Sequence, residues 1–121
     1  MAIDVDIKIH QDLLIIIASG VENNIKDSEN YISTMLQAAV DTQCEKILCD
    51  ERNLQYDLDI EEAMGLADYI NSYAPNVGKT AIVCNAIYKD DVNQWVKELQ
   101  KEGHDLFFFT DYDEAYKWVN E

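Results

Sequence analysis

The chain has only four glycines, one proline, one arginine and two histidines among its 121 residues. Gly20, Gly65, Gly78 and Gly103 stand far apart, so neither a phosphate-cradling P-loop nor a Gly-rich dinucleotide turn can be built from neighbours in the chain. No serine lies in a Gly-x-Ser-x-Gly elbow, which removes the local signature of an α/β-hydrolase nucleophile. His10 and His104 are isolated in sequence and read as strand-end and helix-end residues. Basic residues are scarce, 9 against 24 acidic ones, and the formal net charge is −15. Such a surface repels phosphate backbones and anionic headgroups, and no local basic stretch offsets it. Nucleic acid and stable membrane association are therefore not expected. The longest apolar run, Leu13 to Ala18, falls well short of the about 20 residues that span a bilayer.

Cys44, Cys49 and Cys84 are an odd number of cysteines, and two of them lie in apolar segments, which predicts reduced thiols and a cytoplasmic protein. Cys44 and Cys49 have no second cysteine or histidine pair to complete a zinc site, so no metal is expected. Cys84 would need a neighbouring base or cation to act as a nucleophile, and none is patterned for it. No cofactor and no catalytic residue are predicted. Met1 is followed by alternating aliphatic and acidic residues, which predicts no secretory signal.

What is present is a hydrophobic content of 48%, enough for one domain over residues 1–121 with a real core. Ile3, Val5, Ile7 and Ile9 alternate with Asp4, Asp6, Lys8 and His10, a period of two that predicts an edge strand with one wet face. A turn at His10 to Asp12 returns the chain into a second strand, Leu13 to Ala18, as an antiparallel hairpin. After a polar connection, Gly20 to Lys26, a helix capped by Asp27 or Ser28 carries Ile32, Met35, Leu36, Ala39 and Val40 inward. Lys46 to Cys49 is a buried strand ending in a polar turn, Asp50 to Asn53, followed by a loop, Leu54 to Leu58.

Asp59 and Glu62 form a capping box for a second helix with the stripe Ala63, Leu66, Ala67 and Ile70, which Pro75 ends. Thr80 to Cys84 is the next strand. Asp91 and Gln94 are expected to cap a helix with the stripe Val92, Trp95, Val96 and Leu99, closed by Gly103. Leu106 to Phe109 is the last strand, and Asp111 with Glu114 opens a final helix bearing Ala115, Trp118 and Val119. This order predicts an α/β domain with a mixed, mostly parallel sheet of about five strands and about four helices. Both sheet faces read as apolar, while crossovers stepping one way would put every helix on one face. The other face then calls for a cover: a chain segment, a second subunit or an apolar ligand.

Open parallel sheets bind ligands beyond the carboxyl ends of their strands. Asp50, Arg52 and Asn53 stand there after the central strand, and Asn85 after the next. The guanidinium fork of Arg52 suits a carboxylate or phosphate, although an ion pair with a neighbouring acid is the plainer expectation. A receiver-type phosphoacceptor at Asp50 lacks the acidic pair and the late lysine that such a site needs.

Three segments together resemble the SpoIIAA-like group related to STAS (sulfate transporter and anti-sigma factor antagonist) domains. They are Cys49-Asp50-Glu51-Arg52-Asn53-Leu54, Ala81-Ile82-Val83-Cys84-Asn85, and Phe109-Thr110-Asp111-Tyr112-Asp113-Glu114-Ala115 with Trp118. The resemblance implies a non-catalytic regulatory module that binds a protein partner, forms homodimers, and uses a surface around Arg52 to Ile60, including Tyr56, Asp57 and Asp59. Anti-sigma antagonists carry a phosphorylatable serine in an Asp-Ser-Ser-Gly-like sequence at the start of the helix after the central strand. This chain reads Tyr56-Asp57-Leu58-Asp59-Ile60-Glu61 there, so no phosphoserine switch is expected. The alternative is a small carrier of an apolar or carboxylate-bearing ligand, with Phe107 to Phe109 lining a cavity and Arg52 or Asn85 fixing its polar end.

Overall fold

The computed structural model describes residues 3–73 and 78–121. β1 (Ile3–His10) and β2 (Leu13–Glu22) form the expected antiparallel hairpin, with Gln11 at φ 58° in its tight turn. α1 (Ile25–Thr42), β3 (Lys46–Tyr56), α2 (Ile60–Tyr73) and β4 (Lys79–Cys84) follow. A 3-10 turn (Ala86–Tyr88), α3 (Lys89–Lys101), β5 (Leu106–Phe109) and α4 (Tyr112–Val119) complete the chain. The strand order is β1-β2-β3-β4-β5, with β2 to β5 all parallel. The predicted fold class, a mixed and mostly parallel five-stranded sheet with four α-helices, is the observed one.

α1, α2 and α3 lie on one face of the sheet. Leu14, Ile16, Ile47, Cys49 and Ile82 from the strands pack there beneath Tyr31 and Ala39 of α1. Ile32, Leu66, Ile70 and Leu99 join the three helices to one another. The second face is covered by the chain itself: Ala115 and Val119 of α4 close over Leu13, Leu48, Ala81 and Val83. Toward β1 that face turns polar, with Asp4, Asp6 and Lys8 exposed. β1 is an edge strand, and its aliphatic row is buried only at its start, from Ile3 at 6% exposure to Ile9 at 56%.

Several boundaries differ from the sequence reading, each for a local reason. β2 runs to Glu22 and β3 to Tyr56, so the polar turn after Cys49 and the loop from Leu54 are strand instead. The two extensions pair with each other, from Ser19↔Asn53 to Glu22↔Tyr56, and Leu54 is buried beneath them. α1 starts earlier because Asn24, not Asp27 or Ser28, is the cap: its Oδ1 accepts the Asp27 N–H at 2.9 Å. Val40, assigned to the inner stripe, is 61% exposed. α3 starts at Lys89 from Tyr88, so Asp91 and Gln94 are not caps, and Asp90 and Asp91 lie in the first turn, where the helix dipole favours acids.

The capping box of α2 is present: the Glu62 N–H donates to Asp59 Oδ1 at 2.8 Å and the Asp59 N–H to Glu62 Oε1 at 3.2 Å. Asp111 caps α4 by accepting the Asp113 N–H, and Gly103 follows α3 at φ 90°. The expectation that Pro75 ends α2 lies outside the described residues. No helix among them is long and apolar enough to cross a membrane.

Candidate functional site

The sheet and the three helices above it do not close completely. Between them lies a cavity of about 230 Å³, walled by Ile32, Met35, Leu36, Leu66, Val92 and Leu106. It runs along the sheet from Gly78 and His104 to Glu51 and Tyr56. Lys79 and Lys46 are register partners at one end and Cys84 and Glu51 at the other. Five residue steps at about 3.3 Å each set those ends roughly 16 Å apart. Asp59, Ile60 and Asp91, all exposed, stand at its rim.

A β-bulge shapes the polar end. Between two paired positions β2 advances from Ile17 to Ser19 while β3 advances from Asp50 to Asn53, so β3 carries one extra residue. In a regular strand, residues five apart point to opposite faces. The extra residue reverses that parity, and Glu51 and Tyr56 both enter the cavity. The Tyr56 hydroxyl donates to Glu51 Oε1 at 2.6 Å, and the Tyr31 hydroxyl, from α1, donates to Glu51 Oε2 at 2.7 Å. Glu22, the register partner of Tyr56, lines the same end.

Both carboxylates are more than nine-tenths buried, at 8% and 9% exposure. Burial pushes the Glu22 pKa up from 4.5 to about 8, with the Glu51 charge adding to it. Burial also raises Glu51, against the opposing effect of its two tyrosine hydrogen bonds. Burial and the Glu51 charge together hold Tyr31 and Tyr56 well above the usual phenol range. The same two causes raise Cys49 and Cys84, the latter to about 11, so both thiols are poor nucleophiles near neutral pH. Trp95 Nε1 is fully buried, and no described residue accepts its hydrogen.

The residues singled out from the sequence are dispersed. Tyr56 and Asp59 line the cavity. Asp50 and Arg52 lie on the opposite face of β3, where Arg52 Nε and Nη2 donate to Asp50 at 2.8 and 2.7 Å and the guanidinium stacks over Tyr112. Burial raises Asp50, but these hydrogen bonds outweigh it and its pKa lies below the usual value. Asn53 is exposed beside the bulge. Asp57 accepts from Gln55 Nε2 and sends its own N–H to the Glu22 carbonyl, while Asn85 caps the 3-10 turn through the Ile87 N–H.

The aromatic strand does not line the cavity as the carrier alternative supposed. Phe107 is 45% exposed and packs with Phe109 and Trp118, and of β5 only Leu106 reaches the cavity. Arg52 and Asn85 are likewise not among its lining residues. Of the residues that make its polar end, Tyr56 was singled out from the sequence and Glu51 lay within the segment Cys49 to Leu54, while Glu22 and Tyr31 carried no motif.

Arg52→Ala should destabilise the fold by only about 1–2 kcal/mol. Arg52 is half-exposed, and the main loss is the partner of a largely buried Asp50. A urea midpoint unchanged from the parent protein would show that this pair contributes nothing.

Among the described residues no group of three or more His, Cys, Asp or Glu is placed to hold a metal ion. No family profile and no curated protein matches the chain. Solved structures do. One is an anti-sigma factor antagonist from Mycobacterium paratuberculosis, 11% identical, with a TM-score of 0.68 over 98% of this chain and 95% of that one. Another is an uncharacterised DUF3478-family protein with a SpoIIAA-like fold from Shewanella loihica, 20% identical, with a TM-score of 0.62 over 98% of this chain and 93% of that one. At these identities the likeness establishes the fold, which is SpoIIAA-like.

Proposed function

We propose that this chain is a non-catalytic binding module that takes up a small, mostly apolar molecule between its helix layer and its sheet. The observation that carries this reading is the apolar-walled cavity with Glu22, Tyr31, Glu51 and Tyr56 gathered at one end. A volume of about 230 Å³ has room for about eight water-sized groups at roughly 30 Å³ each. Apolar walls with a few convergent, perturbed polar groups are the usual make-up of a small-molecule site. The raised thiol pKa values of Cys49 and Cys84 favour binding over catalysis. The three free cysteines fit the reducing cytoplasm.

A second reading, a regulatory module that binds a protein partner and forms homodimers, is favoured by the likeness to an anti-sigma factor antagonist. In that reading the contact surface is the Arg52 to Ile60 segment. The segment holds no serine, and Asp59 caps α2 there.

Native mass spectrometry of gently purified protein tests the first reading. Extra non-covalent mass is expected, and Ala63→Trp, which fills the cavity from α2, should abolish it. A protein that stays empty and takes up no apolar dye with or without that substitution would leave only the second reading.

A further inference from the structure

The charge of the cavity lining is one-sided. Among the described residues, five carboxylates line it, Glu22, Glu51, Asp59, Asp91 and Asp105, together with one histidine and neither lysine nor arginine. The acids run from the rim, where Asp59 and Asp91 are exposed, to the interior, where Glu22 and Glu51 are not. The chain's single arginine is committed to Asp50 on the other face of the sheet. The hydroxyls of Tyr31 and Tyr56 already donate to Glu51, so both are spent on a carboxylate of the protein itself. A ligand carboxylate or phosphate would meet two buried acids and no cation to pair with.

We propose that the cavity selects amphiphilic amines: molecules with an apolar tail along Ile32, Leu66 and Leu106 and an ammonium group held between Glu22 and Glu51. This rests on the reading of the cavity as a binding site and names its ligand class. An ammonium brings hydrogen-bond donors and a positive charge to Glu22 and Glu51, the buried acids that no described cation pairs with, and its charge favours the ionised form of both. Beside two carboxylates that are themselves buried, that pairing is worth more than on the surface. The acidic rim adds steering, since a cleft lined by one sign of charge concentrates the opposite ion.

Three probes with one tail length separate the possibilities: 1-octylamine, 1-octanol and octanoate. They are titrated calorimetrically at about pH 8 in about 0.3 M salt, where charges on the open surface are largely screened. The amine should bind at least about tenfold tighter than the alcohol, the ratio of a charge-assisted hydrogen bond, and octanoate should not bind. Glu22→Gln and Glu51→Gln should each lose most of that tenfold for the amine relative to the alcohol measured on the same variant. Methyl NMR shifts of Ile82 and Val92 should report the tail in the cavity.

Equal affinity for octanol and octylamine would overturn the amine selectivity and leave the cavity reading standing. Tight amine binding that neither Glu22→Gln nor Glu51→Gln weakens would place the amine on the acidic surface and overturn it as well. If none of the three probes binds, the cavity reading fails and the selectivity falls with it.

Discussion

Gly78→Ala should destabilise the protein by about 3 kcal/mol or more, seen as a large drop in its urea midpoint. Gly78 holds φ 139°, a backbone region that L side chains rarely adopt. A Cβ there would also collide with the Glu45 backbone. That contact is between main chains, so no side chain can rotate out of the way. The Lys79 N–H donates to the Glu45 carbonyl at 2.9 Å just as β4 begins to pair with β3 at Lys46↔Lys79. Making room for a methyl group therefore means parting two central strands at their first rung. Gly103→Ala is the control, because that glycine also has a positive φ, 90°, but a Cβ on it would meet nothing within 4 Å. It should lose only about 1 kcal/mol, the backbone part alone. If the two substitutions proved equally mild, the close approach at Gly78 would not be a constraint on the fold.

The elements that could be read from sequence were those whose polarity is periodic or whose ends carry their own chemistry. The alternation of Ile3 to Ile9, the capping box Asp59/Glu62 and the Asp111 cap are all local signals, and each stands where it was expected. The misplaced boundaries arise where pairing partners override local composition. Asp50 to Asn53 is polar enough to read as a turn, yet it continues as strand because β2 continues alongside it to Glu22. The choice of Asn24 over Asp27 as the α1 cap depends on where β2 stops, which no residue in the helix announces. The cover on the second sheet face was an open question in sequence, since α4 could equally have joined the other helices. Its Ala115 and Val119 pack on Leu48 and Val83 instead.

The site was harder to read than the fold, for a geometric reason. Residues near the carboxyl end of the central strand were singled out as a group, but strand parity assigns them to different faces, and the bulge after Asp50 shifts that parity. Glu51 and Tyr56 seem opposed when five positions are counted along a strand, and yet their side chains meet at 2.6 Å. Arg52, the more conspicuous residue, points to the other face and closes onto Asp50. Tyr31 comes from a helix twenty positions earlier, and Glu22 from an extension of β2 that looked like loop. Only the tertiary arrangement gathers them.

That gathering has a consequence for stability. Glu22 keeps its proton up to about pH 8, because burial and the charge of Glu51 both oppose its ionisation, whereas in the unfolded chain it ionises near its ordinary 4.5. The groups that face it are Glu51 and Tyr56 from β3 and Ser28 from α1, and none is a cation. Between those two pH values the folded protein binds a proton that the unfolded chain has released. Stability is therefore greatest at the acid end of the window and falls as pH rises, by about 1.4 kcal/mol per pH unit, levelling off above about pH 8.

Over the whole window the loss should reach about 3–5 kcal/mol. Glu51, also raised, acts in the same direction. Asp50, whose pKa is lowered, contributes stability above its ordinary pKa that is lost only in more acid solution, so it does not mask the effect. Urea midpoints measured from about pH 5 to pH 9 should trace this slope. Glu22→Gln should flatten it, matching the parent protein near pH 5 and exceeding it by about 2–4 kcal/mol near pH 9. A parent protein equally stable across the range, or a glutamine variant weaker than the parent at pH 9, would show that Glu22 does not hold its proton when folded. An ammonium bound between Glu22 and Glu51 supplies the missing counter-charge, so saturating octylamine should flatten the same slope in the parent protein, and octanol should not.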